Sequence, residues 1–237
     1  MREALPTLIN RYGCFCTTRV IFASAAYQYL CRAKDATFEL MDAVLLTRNA
    51  YSFADLSLCP VFRRKWSSIY EAIQDTRPQR NKLMRLYIEQ IPTQSRIILA
   101  GDHTTWSRPD AVTLQERTYE HYVQGGFGGR PVTLGYGYST ICWVPEMDGS
   151  WSLPLRHERI TGWENPIDKR LRHFPAFQKA GNNAQSVWQL GQVCSHLPSR
   201  PLTFWDIEYG CSPFVLKTAG INADKVMRLR SRLMLVG

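Results

Sequence analysis

Two aspartates hold the chemistry that this sequence offers. Asp102 follows the apolar run Arg96-Ile-Ile-Leu-Ala100 through Gly101, and Asp206 closes Pro201-Leu-Thr-Phe-Trp205. Each run reads as a short buried strand with an acid at its C-terminal end. Carboxylates in that position are hard oxygen donors on rigid elements. They suit Mg²⁺ or Mn²⁺, which prefer oxygen and keep several waters. Two such ions, about 3.5–4 Å apart, can clamp a phosphodiester during in-line displacement. Either aspartate alone has a plainer reading as a turn or helix-capping residue. The repetition of the design strengthens the metal reading and leaves the plainer one open.

The elements that must position these acids begin near residue 96. Residues 109–122 are polar and helix-capable, and Gly125-Gly-Phe-Gly-Gly129 lacks the glycine spacing of a phosphate-binding loop. Pro131–Val144 and Trp151–Ile160 read as two strands of a hairpin turned by Glu146-Met-Asp-Gly149. Asn182–Leu197 places Val187, Leu190, Val193 and Cys194 on one helical face, and Pro198 closes it. Ser212–Ala219 is a short helix ended by Gly220. Lys225–Val236 sets Arg228, Arg230 and Arg232 against Met227, Leu229 and Leu233, the period of a half-buried strand. The three arginines read as a phosphate track or as charge on a soluble edge.

Residues 1–92 have a different texture. Phe38, Met41, Leu45 and Leu46 recur at helical spacing, as do Trp66, Ile69, Tyr70 and Ile73, with Pro60, Pro78 and Pro92 between the segments. Basic residues gather at Arg63-Arg64-Lys65 and from Arg77 to Arg85, as a solvated face or a DNA-facing one. Two domains follow: a helical region over 1–92 and an α/β region over 93–237.

Read in order, the second region gives three strands, a helix, a strand, a helix and a strand. This is the order of a ribonuclease-H-like mixed sheet, whose strands by analogy lie 3-2-1-4-5. The right-handed crossover rule puts the fourth strand beside the first. Asp102 and Asp206 then meet, although 104 residues separate them.

The residues around the acids resemble DDE-type transposases of bacterial insertion sequences. The resemblance rests on Gly101-Asp-His-Thr104, Trp106-Ser-Arg-Pro-Asp-Ala-Val-Thr-Leu114, Leu134-Gly-Tyr-Gly-Tyr-Ser-Thr140, Ser152-Leu-Pro-Leu-Arg-His-Glu-Arg159, Trp205-Asp-Ile-Glu-Tyr-Gly210 and Lys225-Val-Met-Arg-Leu-Arg-Ser231. It spans residues 96–237 and is weak before them. It implies that Asp102 and Asp206 are the first and second catalytic acids and metal ligands. It also implies a Mg²⁺ or Mn²⁺ cofactor, double-stranded transposon ends as substrate, and a homo-oligomer as an open option. The family's third acid, a glutamate on a helix after the last strand, has no match before Gly237. The expectation is therefore a C-terminally truncated copy with impaired or no activity; the alternative is a non-catalytic DNA-binding protein. Glu208 shares a face with Asp206 if the strand continues and is one substitute acid, whereas Glu158 and its neighbour His157 on the third strand read as structural. Trp106 and Arg108 can meet DNA by stacking and by phosphate contact, as can Arg228 and Arg230.

Composition agrees with these readings and excludes several others. Hydrophobic residues make up 45% of the chain and charged residues 21%, which rules out a disordered or collagen-like protein. A net charge of +9 suits a polyanion partner. Seven scattered cysteines without a C-x-x-C pair read as reduced thiols. Val20–Leu30 is too short to span a bilayer, so the expectation is a cytoplasmic, nucleoid-associated protein without membrane contact.

Overall fold

The computed structural model describes residues 21–93, 96–114, 117–121, 132–146, 151–160 and 182–229. The chain divides into two compact units, Met1–Leu86 and Tyr87–Gly237.

The first unit is helical. Residues 21–29 form α1, followed by α2 (Lys34–Leu46), α3 (Phe53–Ser57), α4 (Ser67–Asp75) and α5 (Arg80–Ile88), the last running across the division. A capping box starts α3. The Ser52 hydroxyl accepts from the Asp55 N–H at 3.2 Å, and the Asp55 carboxylate accepts from the Ser52 N–H at 2.9 Å. Leu40, Ala43, Leu56, Phe62 and Ile69 pack as the core of this unit. The helices fall where periodicity puts them, but the buried stripes are offset. In α2 the inward face is Ala36, Leu40 and Ala43, while Met41, Leu45 and Leu46 are exposed. In α4, Ile69 and Ala72 are buried, and Trp66 and Tyr70 meet edge to face on the outside at 5.7 Å. Small alanines let these helices approach closely, and a reading based on large side chains overlooks them. The basic run is partly neutralised: Arg63 and Arg64 both pair with Glu39, at 3.0 and 3.3 Å.

In the second unit, six strands among the described residues form one sheet: β1 (Ile98–Ser107), β2 (Thr118–His121), β3 (Val132–Trp143), β4 (Leu153–Ile160), β5 (Leu202–Trp205) and β6 (Asp224–Met227). β3 runs antiparallel to β1, and its other edge is shared by β2 and β4. β5 lies parallel to β1, and β6 parallel to β5. Setting β2 aside, the order β4-β3-β1-β5-β6 is the ribonuclease-H-like 3-2-1-4-5. Helices α6 (Asn182–Cys194) and α7 (Ser212–Thr218) fill the connections around β5.

Two expectations need correction. The first strand does not end at Gly101-Asp102; β1 continues to Ser107, paired with β3 as far as Gly135. Residues 109–122 are not helical where described. They turn at 109–113 and then form β2 at Thr118–His121. Alternating Thr104, Trp106 and Arg108 keep β1 extended past the acid, and β3 supplies a partner long enough to hold it. The loop at 125–129, most of the 146–149 turn, and residues 230–237 lie outside the described residues, Arg230 and Arg232 among them.

One face of the sheet carries the core. On α6, Ser186 and Gln189 are fully buried against Ser139 of β3, with Ser139 Oγ donating to Gln189 Oε1 at 2.5 Å and Gln189 Nε2 donating to Ser139 O at 2.9 Å. Tyr209 joins the same network through Ser186 Oγ at 3.1 Å. Next to it, Trp205, Tyr209 and Phe214 form a triangle of rings 4.8–5.1 Å apart. The Trp205 indole lies against Gly101: a Cβ there would sit 2.1 Å from the ring. Gly101→Ala should therefore destabilise the unit by about 1–3 kcal/mol through overpacking. A urea unfolding midpoint unchanged from wild type would contradict this contact.

Candidate acid site

The parallel ladder between β1 and β5 ends at Gly101↔Trp205, and that between β5 and β6 at Trp205↔Met227. The next residue on each strand is Asp102, Asp206 and Arg228. The backbone thus sets two acids and a cation in one row just past the last parallel pairs, Asp102 within the longer β1 and Asp206 and Arg228 after the ends of β5 and β6. The Arg228 N–H donates to the Trp205 carbonyl at 3.2 Å, which carries the β5–β6 pairing to this row. Gly210 makes room for it, since a Cβ there would lie 2.6 Å from the Arg228 carbonyl oxygen. All three residues of the row are exposed.

Alternation along β1 separates two kinds of chemistry. Asp102 belongs to the open face, and its carboxylate accepts from the His103 N–H at 2.7 Å. His103 points the other way and is 7% exposed, with Nε2 3.1 Å from Glu120 Oε2 and Nδ1 4.0 Å from Glu208 Oε2. Gly137 leaves space for that contact: a Cβ there would stand 2.8 Å from both Glu120 oxygens and from His103 Nε2. The histidine was not singled out in the sequence. Its one signal there is its place next to Asp102 on a strand, which sends it to the covered face.

Glu208 differs from expectation. β5 ends at Trp205, residues 207–209 form a turn, and the Asp206 carboxylate accepts from the Glu208 N–H at 2.9 Å. Asp206 therefore also fills the turn-capping role that an acid after a strand commonly has. Glu208 is directed to His103 and does not extend the strand beside Asp206. Glu158 is buried in an ion pair with Arg156 at 3.0 Å, a structural role. His157 contacts Thr140 Oγ1 through Nδ1 at 2.8 Å and stacks on Tyr138 at 5.1 Å.

Tyr209 reports the field of these acids. Burial pushes its phenol up to about 12; the Ser186 hydrogen bond opposes the rise, and the charges of Asp102, Asp206 and Glu208 add to it. All three carboxylates thus act on one buried hydroxyl. The donor set at the row, two exposed carboxylates, fits a hard divalent cation that keeps most of its waters. Among the described residues, no cluster of three or more His, Cys, Asp or Glu is placed to hold a metal ion.

The fold defines a ribonuclease-H-like protein with paired acids just past its last parallel pairs. The sequence matches the DDE superfamily endonucleases over residues 27–236, and the chain belongs to that family. Endonucleases of this superfamily generally use divalent metal ions. The match begins well before residue 96, so it takes in most of the helical unit as well. Among solved structures, the piggyBac transposase synaptic complex with hairpin DNA, seen by cryo-electron microscopy, is similar at 13% identity and a TM-score of 0.42; the match covers 84% of this chain and 42% of that one. This chain thus spans less than half the length of that protein. No curated protein matches the sequence. No helix among the described residues is long and apolar enough to cross a membrane.

The raised Tyr209 value has a consequence for stability. The folded protein holds the phenolic proton more tightly than the unfolded chain, whose tyrosine titrates near 10. The contribution is complete below pH 10 and is lost as pH rises through about 12. Urea titrations of wild type and Tyr209→Phe should diverge over that window, with wild type losing about 2–3 kcal/mol more than the variant. Parallel pH curves would mean that burial does not raise the Tyr209 phenol.

Proposed function

We propose that this chain acts on double-stranded DNA as a transposase of the insertion-sequence kind, with Asp102 and Asp206 as its first two catalytic acids and as ligands of Mg²⁺ or Mn²⁺. The observation that carries the reading is the register that puts both acids in one row. Membership of the DDE endonuclease family supports it. A bound divalent ion supplies a Lewis acid to the phosphodiester oxygens. The chain's own part is to hold two negative charges at fixed spacing, one within β1 and one just after β5. It also offers cations to the flanking phosphates: Arg228 in the same row, Arg108 just after β1, and Arg230 near the end of the sequence.

Residues 93–237 act in this reading as the catalytic core and residues 1–92 as a DNA-binding region. Assembly of more than one copy on paired transposon ends, in the cytoplasm at the nucleoid, completes it. A second reading has its own support. With two acids in the row and no third ligand clustered with them among the described residues, the chain by itself holds metal weakly and cuts slowly. It then occupies transposon ends without processing them, as an impaired copy would.

Two measurements test these readings. Free Mn²⁺, counted by electron paramagnetic resonance, should fall on adding wild-type protein and stay unchanged with Asp102→Ala or Asp206→Ala. Equal Mn²⁺ uptake by the variants would move the metal elsewhere. DNA affinity should drop with salt, log K falling by about 0.9 per phosphate contact per unit of log salt. Arg108→Gln should lower that slope by about one contact. Nicking of a transposon-end duplex in Mn²⁺, abolished by Asp102→Ala, favours the catalytic reading; salt-dependent binding without nicking favours the second.

A further inference from the structure

The open face of the sheet carries more than the acids. Along β1 and just past its end, the even-numbered positions after Asp102 are Thr104, Trp106 and Arg108, all exposed. Across from them, β3 brings Thr140 opposite Asp102, Tyr138 opposite Thr104 and Tyr136 opposite Trp106. β4 adds His157 opposite Thr140 and Arg159 opposite Tyr138. The rings and guanidinium groups among these side chains are in contact, not merely neighbours. The Arg108 guanidinium lies over the Trp106 ring at 4.1 Å, Trp106 and Tyr136 are 6.1 Å apart, and the Arg159 guanidinium lies over Tyr136 at 4.9 Å. Tyr138 and His157 stack almost parallel, 6° between their planes, and His157 reaches Thr140, the partner of Asp102.

A series of flat rings and guanidinium planes therefore runs from the acid row to Arg108. Its far end stays open, since Trp106 is 44% exposed. Arg117 adds a third cation there, its Nη1 donating to the carbonyls of Arg108 and Pro109 at 2.9 Å each. Four residues of strand separate Asp102 from Trp106, about 13 Å.

The geometry points to a platform for unpaired DNA at the exposed Trp106 and Arg108, backed by the buried ring of Tyr136 and flanked by the half-buried Arg159, which receives the bases of a single-stranded segment next to the acid site. This inference rests on the DNA reading above and deepens it. A duplex shows proteins its phosphates and base edges. Base faces are available only where pairing is broken, and a π surface flanked by cations recognises faces and phosphates together. The charge of the patch and of the whole chain suits a nucleic-acid strand, and the flatness of Trp106 selects unpaired bases within it.

The test uses the full chain and two probes at one salt concentration: a blunt 20-base-pair duplex, and the same duplex with a six-nucleotide single-stranded tail bearing 2-aminopurine. Wild type should bind the tailed probe about tenfold more tightly, the scale of one or two stacked bases, and should quench the 2-aminopurine. Trp106→Ala should lose both the preference and the quenching while keeping its affinity for the blunt duplex, and Trp106→Tyr should keep all three. Equal affinity of wild type for the two probes, or 2-aminopurine left bright in the bound complex, overturns the platform yet leaves the DNA reading standing. That readout on wild type needs no variant to fold. Retained preference in Trp106→Ala also overturns the platform. Absence of binding to either probe overturns the platform and the DNA reading together.

Discussion

The indole of Trp205 rests on the backbone of Gly101, and the two acids of the row, Asp102 and Asp206, are the residues that follow that contact. Gly101 has no Cβ to hold the ring away, so β1 and β5 pair closely up to the point where they present their carboxylates. The ring also anchors β5 from below. Its Nε1 donates to Thr203 Oγ1 at 2.8 Å, and Thr203 Oγ1 in turn donates to the Asp224 carbonyl on β6 at 2.9 Å. One aromatic side chain thus fixes the spacing of three parallel strands, and with it the row formed by Asp102, Asp206 and Arg228.

From that contact the sheet acquires two unlike faces. The covered face is packed by α6 and holds a fully bonded polar network around Ser139, Ser186 and Gln189, with His103 and Glu120 beside it. Its demands are strict, because a buried polar atom that loses its partner costs about 1–3 kcal/mol. The open face carries the acids, the arginines and the stacked rings, and owes little to the packing behind it. Strand alternation lets adjacent residues, Asp102 and His103, serve these two faces at once.

Much of this was legible in the amino-acid order. The hairpin of β3 and β4, the helix before Pro198, and two apolar runs each followed by an acid were visible because period and punctuation are local signals. The 3-2-1-4-5 order came by analogy with the ribonuclease-H-like element sequence, and the handedness of crossovers put the fourth strand beside the first. What escaped depended on partners far away in the chain. Residues 102–107 look too polar for a strand until β3 lies alongside them, and Thr118–His121 becomes a strand only by pairing with the start of β3. Glu208 was placed on a continuing strand, whereas the Asp206 carboxylate captures its N–H and turns the chain. The offset faces of α2 and α4 have the same origin, since which side of a helix is buried depends on where alanine permits contact.

The separation of the two faces bears on how such a sequence ages. Changes among the exposed acids, arginines and rings leave the covered network and the Trp205–Gly101 contact untouched. The open face can therefore change its charge and its aromatic content while the fold that presents it stays the same.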